Sequence, residues 1–172
     1  MEIKIEPLHR EDTRKLLEFE RKNRKFFEEL VPSRGDDYYV SENFIQNLES
    51  LLDEQDQGLS YFYLIKDMQG TILGRMNLVD INQTQRFGHV GYRLGKDYTG
   101  KGIANQSLKL LMEKLDSLDV HQVRAKTTTN NIASQKVLEK NGFELVDTSD
   151  EEFMMNGQPL KFVYYEYQNK YL

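Results

Sequence analysis

The stretch that decides the fold is "GHVGYRLGKDYTGKGIANQSLKLLMEKL", residues 88–115. Its first part alternates the apolar residues Val90 and Tyr92 with smaller or polar ones, which is the two-residue period of a β-strand. Its last part carries leucines at helical spacing, and a short turn containing Gly100 and Gly102 joins the two parts. The stretch therefore predicts a strand that passes through a glycine turn directly into an apolar helix.

The turn itself has the composition of an anion site. Gly100, Gly102 and Ala104 leave backbone N–H groups uncovered at the start of a helix, where unpaired donors and the positive end of the helix dipole favour an anion. Lys101 adds positive charge. The turn therefore predicts a phosphate or pyrophosphate ligand, and the alternative is a plain strand-to-helix turn that needs glycine for its φ angles.

The same letters partly match the P-loop of nucleotide hydrolases. Gly95 is followed, after four residues, by Gly100 and Lys101, but Gly102 stands where a serine or threonine must hold the magnesium ion. A P-loop also belongs to a parallel sheet, whereas the segment before this turn has the pattern of an antiparallel hairpin. The sequence therefore favours phosphate binding without nucleotide hydrolysis.

The rest of the chain alternates between strand and helix periods. The predicted order is strand, two helices, three strands, helix, strand, helix and two closing strands around the turn "MNGQ". Ser41 is expected to cap the second helix. No repeat, low-complexity tract or flexible linker divides residues 1–172, so we expect a single domain of the α/β (α+β) class, with helices packed on a mixed sheet.

Composition excludes several classes of function. The 172 residues include no cysteine, so a thiol nucleophile, a disulfide framework and a thiolate metal site are unavailable, and the three histidines lack ligand spacing for a metal. The formal net charge of −5 argues against a nucleic-acid surface and suits an amine substrate. Neither a membrane span nor an apolar signal core is present, so we expect a cytoplasmic protein that does not associate with membranes.

Two motifs in the correct order resemble the GNAT superfamily of acyl-CoA-dependent N-acetyltransferases: the opening stretch, and "RAKTTTNNIASQKVLEKNGFE", residues 124–144. Within it, the chain is most similar to the ribosomal-protein alanine/serine N-acetyltransferase group. The resemblance implies acetyl-CoA as the acyl donor. It also implies a mostly antiparallel sheet with helices on both faces, and a V-shaped splay between the two central parallel strands.

The resemblance implies a role for particular residues toward the cofactor. The backbone of Leu94 is expected to pair with the pantetheine arm as an added strand would. The glycine turn is expected to hold the pyrophosphate, and the pair Asn131 and Ser134 to lie near the thioester, although both are also good helix-capping residues. The implied cofactor-binding set is Leu94, Thr99, Gly100, Lys101, Gly102, Ile103, Ala104, Asn105, Asn131 and Ser134.

The chain departs from the family pattern at two places. Thr99 replaces the common arginine or glutamine of the glycine motif, and Leu138 replaces the tyrosine that often protonates the leaving thiolate. Ser134 is therefore our candidate for an interaction with the thiolate. The candidate base that accepts the proton of the amine is His89, since an imidazole titrates near neutrality. A water chain or Glu144 is the alternative, and a lone strand histidine is also a common structural residue.

The acceptor is expected above the sheet, between the N-terminal helices and the closing strands. Asn23 interrupts an apolar helical stripe, which either a substrate-facing cleft or a buried structural hydrogen bond explains. Phe27 and Tyr92 complete the candidate substrate-binding set, although aromatic residues at such spacing also form cores. The expected acceptor is the N-terminal amine of a protein such as a ribosomal protein. A small amine, such as a polyamine, amino acid or antibiotic, is the alternative acceptor, and a non-catalytic acyl-CoA-binding module is the alternative to an enzyme; association as a homodimer is left open.

Overall fold

A computed structural model describes residues 1–169 as a seven-stranded sheet with helices on both faces and a small separate hairpin. The helices are α1 (Thr13–Leu30), α2 (Ser41–Asp56), α3 (Ile103–Met112), α4 (Leu115–Leu118) and α5 (Ile132–Lys140). The strands are β1 (Ile3–Pro7), β2 (Tyr61–Asp67), β3 (Ile72–Asn82), β4 (Phe87–Leu94), β5 (Gln122–Thr128), β6 (Glu144–Thr148), β7 (Phe153–Met155), β8 (Gln158–Leu160) and β9 (Phe162–Gln168). The strand order is β1-β2-β3-β4-β5-β9-β6, and all neighbours are antiparallel except β4 and β5. The expected mixed, mostly antiparallel architecture is confirmed.

Alternation along the strands divides the core into two layers. In β2, Tyr63 and Ile65 pack with α3 and α5, while Phe62 and Leu64 pack with α1 and α2. Successive side chains of a strand point to opposite faces, so one apolar strand can serve both layers. We call the side covered by α1 and α2 the α1 face, and the opposite side the α3 face.

Two local predictions were wrong. Helix α2 begins at Ser41, but Val40 takes the capping position and no side chain caps the helix. The closing strands β6 and β9 are not joined by a single turn around "MNGQ", because that turn belongs to the separate hairpin of β7 and β8, with Asn156 and Gly157 in left-handed conformations. Three-residue strands are too short to give a clear alternation in the sequence.

Within residues 1–169, no helix combines the length and the apolar character needed to cross a bilayer. Over the same range, no three His, Cys, Asp or Glu side chains come together as a metal site would require.

Candidate active site

The two parallel strands separate at the centre of the sheet. Pairing between β4 and β5 ends at Val90 and Ala125. Beyond that pair, β4 continues to Leu94 along β3, and β5 continues to Thr128 along β9. The last four residues of β4 therefore have no partner on the β5 side, which is the expected V-shaped gap. An extended ligand can enter such a gap and pair with the exposed backbone as an added strand does.

The glycine turn leads from β4 into α3. Gly100 and Gly102 have φ angles of +71° and +78°, in the left-handed region that side chains disfavour. A Cβ atom at either position would meet no protein atom within 4 Å, so the backbone conformation is what requires glycine there. No side chain caps α3, and the N–H groups of its first turn have no helical partners. The turn therefore leaves backbone donors uncovered at the start of α3, where the helix dipole favours an anion.

Neighbouring residues hold this turn in place. Ile103 is buried in the α3-face core, and Asn105 accepts a hydrogen bond from the Asn141 side chain at 2.9 Å. Thr99 donates its hydroxyl to the carbonyl of Lys96 at 2.9 Å, so this side chain supports the turn in the described structure. Of the remaining predicted residues in the turn, Lys101 is exposed and Ala104 is half-buried against the core.

The start of α5 approaches β4 across the gap. Asn131 caps the helix, because its Oδ1 atom accepts a hydrogen bond from the Ser134 amide at 3.1 Å. The Tyr92 hydroxyl donates to the Ser134 Oγ atom at 3.5 Å, and burial raises the pKa of Tyr92. One turn further along α5, Leu138 is buried and apolar. The structure thus brings Tyr92 together with the pair Asn131 and Ser134, although Tyr92 lies 42 residues before Ser134 in the sequence.

His89 lies on the other side of β4. By strand alternation its side chain is on the α1 face, whereas Tyr92 packs on the α3 face. Its strand neighbours are Val79 on β3 and Arg124 on β5, and its ring meets Phe87 edge-on at a centroid distance of 5.8 Å. His89 is therefore not part of the group around Ser134. It stands on the face that α1 and the separate hairpin enclose.

Asn23 and Phe27, which were predicted to contact the amine substrate, lie inside the packed α1 face. Asn23 is buried; its amide donates to the Phe19 carbonyl at 3.0 Å, and its oxygen accepts from the Lys96 amide at 2.9 Å. Both polar groups of Asn23 therefore have hydrogen-bond partners within the protein, which agrees with the interpretation of Asn23 as a buried structural residue. Phe27 is only 1% exposed and lies beneath Arg93, whose guanidinium carbon is 4.6 Å from the ring centroid. A direct contact between Phe27 and an acceptor would require Arg93 to move.

A buried charge cluster on this face was not predicted from the sequence. Arg75 and Arg93 both donate to one oxygen of Glu20, at 2.8 and 2.9 Å. Within residues 1–169, the second oxygen of Glu20 and the Nε atom of Arg75 are buried without hydrogen-bond partners. The cluster carries two positive charges and one negative charge. The sequence does contain signals of this cluster: Glu20 is an acid on an apolar helical stripe, and Arg75 and Arg93 lie inside apolar strands.

The separate hairpin closes this face on its far side. The Asn156 side chain donates to the backbone carbonyl of Glu29 near the end of α1, at 2.7 Å. Beneath the hairpin, Lys126 of β5 lies over the Phe162 ring at 4.5 Å and forms no ion pair with any residue from 1 to 169. Helix α1 and the hairpin therefore meet on the same face of the sheet as Lys126.

The acetyltransferase (GNAT) domain family matches residues 2–144. The chain is 27% identical over 158 residues to "Probable N-acetyltransferase YjcK" of Bacillus subtilis (strain 168), covering 90% of this chain and 87% of that protein. It is 26% identical over 160 residues to the spermidine N(1)-acetyltransferase of Escherichia coli (strain K12), covering 91% and 80%. Its fold matches ribosomal-protein-S5-alanine acetyltransferase from Vibrio fischeri with a TM-score of 0.90 at 21% identity, over 99% of this chain and 94% of that one. The chain belongs to the GNAT family and is an acetyl-CoA-dependent N-acetyltransferase.

Proposed function

We propose that the protein transfers the acetyl group of acetyl-CoA to the N-terminal amine of a protein, such as a ribosomal protein. The observation that carries the proposal is the gap between β4 and β5, which ends at the glycine turn of α3. In this proposal Leu94 pairs with the pantetheine arm, residues 99–105 hold the pyrophosphate, and Asn131 and Ser134 lie near the thioester. Acetyl-CoA supplies the activated acyl group, and the protein residues orient it.

The residues on the two faces of β4 have separate tasks. On the α1 face, His89 or a water chain accepts the proton that the attacking amine must lose. On the α3 face, Ser134 and Tyr92 lie at the expected position of the sulfur. The chain has no cysteine, which agrees with direct transfer between two bound molecules, and orientation of those molecules then supplies much of the rate enhancement.

Charge on the α1 face supports a peptide acceptor over a polyamine. The two positive charges of Arg75 and Arg93 outnumber the single negative charge of Glu20. The ammonium group of Lys126 lies across the gap and forms no ion pair with any described residue. These cations repel a polyamine, which carries several positive charges, and can bind the carbonyl and carboxylate oxygens of a peptide. The fold neighbour that acts on a ribosomal protein agrees with this choice.

A small amine is the second candidate acceptor. The overall charge of −5 attracts cations, and a relative of 26% identity is a spermidine acetyltransferase. The overall charge acts over the whole surface, whereas the cations of the α1 face act at the gap itself. We therefore rank the peptide amine first.

The test is a comparison of acceptors by the release of free CoA. Peptides beginning with alanine or serine are expected to give a kcat/KM at least about tenfold above that of spermidine, which corresponds to about 1.4 kcal/mol. Lys126→Glu should narrow this ratio, whereas Lys15→Glu makes the same charge change at an exposed position near the start of α1 and should leave it unchanged. A preference for spermidine in the unmodified protein, or a ratio unaffected by Lys126→Glu, would contradict the choice of acceptor.

A further inference from the structure

Two hydroxyl groups from different elements meet where β4 and β5 separate. Tyr92 stands two residues beyond the last β4 residue that pairs with β5, and Ser134 lies in the first turn of α5. Their oxygens are 3.5 Å apart on the α3 face. The hydroxyls therefore stand at the side of the gap along which an extended cofactor arm would lie.

The Tyr92 hydroxyl is held only loosely. Its bond to Ser134 is at the outer limit of hydrogen-bond length, where the interaction is weak. Within residues 1–169 this is the single hydrogen bond of the Tyr92 side chain. A partly buried phenol normally has a close partner, because an unsatisfied polar group is costly away from water. The hydroxyl of Tyr92 is therefore available to a ligand in the gap at little cost.

The α5 side of the gap offers few other donors. Ser134 is the residue of α5 that meets Tyr92, and Leu138, one turn further on the same side of the helix, is apolar and buried. The N–H of Ser134 is already bonded to the Asn131 side chain. A negative charge that develops here would consequently find two hydroxyl donors, those of Tyr92 and Ser134.

We propose that Tyr92 stabilises the leaving thiolate of coenzyme A by donating its single hydroxyl hydrogen to the sulfur, in place of its weak bond to Ser134, while the Ser134 hydroxyl donates to the phenol oxygen and so positions it. The inference rests on the proposed function only in that coenzyme A occupies the gap. In the transfer, the amine nitrogen forms a bond to the acetyl carbon and loses one proton to the base or to water. The carbon–sulfur bond breaks, and its electron pair remains on sulfur as the thiolate that Tyr92 stabilises.

The chemistry of the two hydroxyls favours Tyr92 for this role. A phenol is far more acidic than an alcohol, so its O–H is the more strongly polarised donor. Burial raises the pKa of Tyr92 above its ordinary value of 10.0, so the phenol keeps its proton at neutral pH. A protonated phenol acts as a donor, whereas a phenolate would repel the thiolate. Hydrogen bonds to charged groups are among the stronger ones in proteins.

The experiment measures the pKa of the CoA thiol in its complex with the protein. The ultraviolet absorbance of the thiolate is titrated against pH for free CoA, for the unmodified protein with CoA, and for Tyr92→Phe with CoA. Tyr165→Phe is the matched control, because it also removes a buried phenol that donates to α5, at 3.0 Å to Glu139 and at the other end of the helix. Calorimetry with CoA measures binding for each variant.

We expect the bound thiol of the unmodified protein to have a pKa about one below that of free CoA, which is a tenfold gain in thiolate. Tyr92→Phe should remove this lowering and reduce kcat by about 10- to 100-fold, with KM for acetyl-CoA changed by less than about threefold. Tyr165→Phe should change none of these quantities. A merely structural tyrosine would not alter the pKa of the thiol.

Three results would overturn the inference. The first, which needs no variant, is that the thiol bound to the unmodified protein has the same pKa as in free CoA. The others are that Tyr92→Phe leaves the pKa of the bound thiol unchanged, or that Ser134→Ala raises this pKa while Tyr92→Phe does not. The titration needs CoA but no acceptor. If Tyr92 lowers the pKa of the thiol while no peptide is acetylated, the proposed acceptor fails and this inference stands. If CoA does not bind at all, both fail.

Discussion

The buried acid Glu20 offers the sharpest test of the structure. Glu20→Gln keeps the shape of the side chain and an oxygen acceptor, but it leaves Arg75 and Arg93 without their shared counter-charge. Removing one partner of a buried ion pair costs about 3–5 kcal/mol. The side chain of Arg93 is 15% exposed and can gain some hydration, so we expect about 3 kcal/mol.

The assay is thermal unfolding, supported by urea unfolding at constant temperature. For a domain of this size, about 3 kcal/mol corresponds to a melting temperature lower by about 6–12 °C. Glu18→Gln is the matched control, because Glu18 pairs with Arg14 on the exposed side of the same helix; it should change stability by less than about 0.5 kcal/mol. If Glu20→Gln and Glu18→Gln melt within about 1 °C of each other, the cluster is not a stabilising ion pair and our account of it is wrong.

Three further predictions concern the loop, the helix that supports it and the response to acid. Gly102→Val should abolish CoA binding in calorimetry, because a side chain strains the left-handed backbone and covers the amides. Gly35→Val also places a side chain at a positive φ, +82°, in open space, and should still bind. Asn23→Ala should weaken CoA binding and lower stability by about 1–3 kcal/mol, since a loop amide loses its acceptor; a higher KM for the peptide alone would instead indicate an acceptor contact. Hydrogen-bonded ion pairs with Lys4 and Lys66 lower the pKa of Glu6. The carboxylate therefore stabilises the folded protein fully at a pH above the ordinary pKa of glutamate, and this stabilisation is lost as the pH falls through the lowered pKa. Glu6→Gln should therefore lower the melting temperature at about pH 7 but not at about pH 2.

The local geometry of the segments that we propose to bind the cofactor was largely predictable from the sequence. The glycine turn and the cap of α5 are local features, in which residues a few positions apart decide the backbone. Gly102 illustrates this point: its left-handed φ follows from its place between a turn and a helix, and the structure has it there. The resemblance to a known family added the roles of these residues, which local patterns alone do not supply.

The acceptor side was much less predictable. Glu20 lies 55 residues from Arg75 and 73 from Arg93, and no periodicity connects them. Asn23 was correctly singled out as a polar residue on an apolar stripe, but only the packed structure identifies the Lys96 amide as its partner. Asn156 is similar, because its contact with α1 depends on the hairpin folding back across the sheet.

By itself, the sequence determined the alternation of strands and helices, the glycine turn and the absence of thiol chemistry, because each depends on neighbouring residues or on composition. The tertiary structure alone decided that Tyr92 and Ser134 meet across the gap while His89 faces the opposite side of the same strand. Strand alternation assigns the two sides, but which helix covers each side is decided by burial of the whole apolar surface. A site made of residues from several elements exists only once that packing is complete.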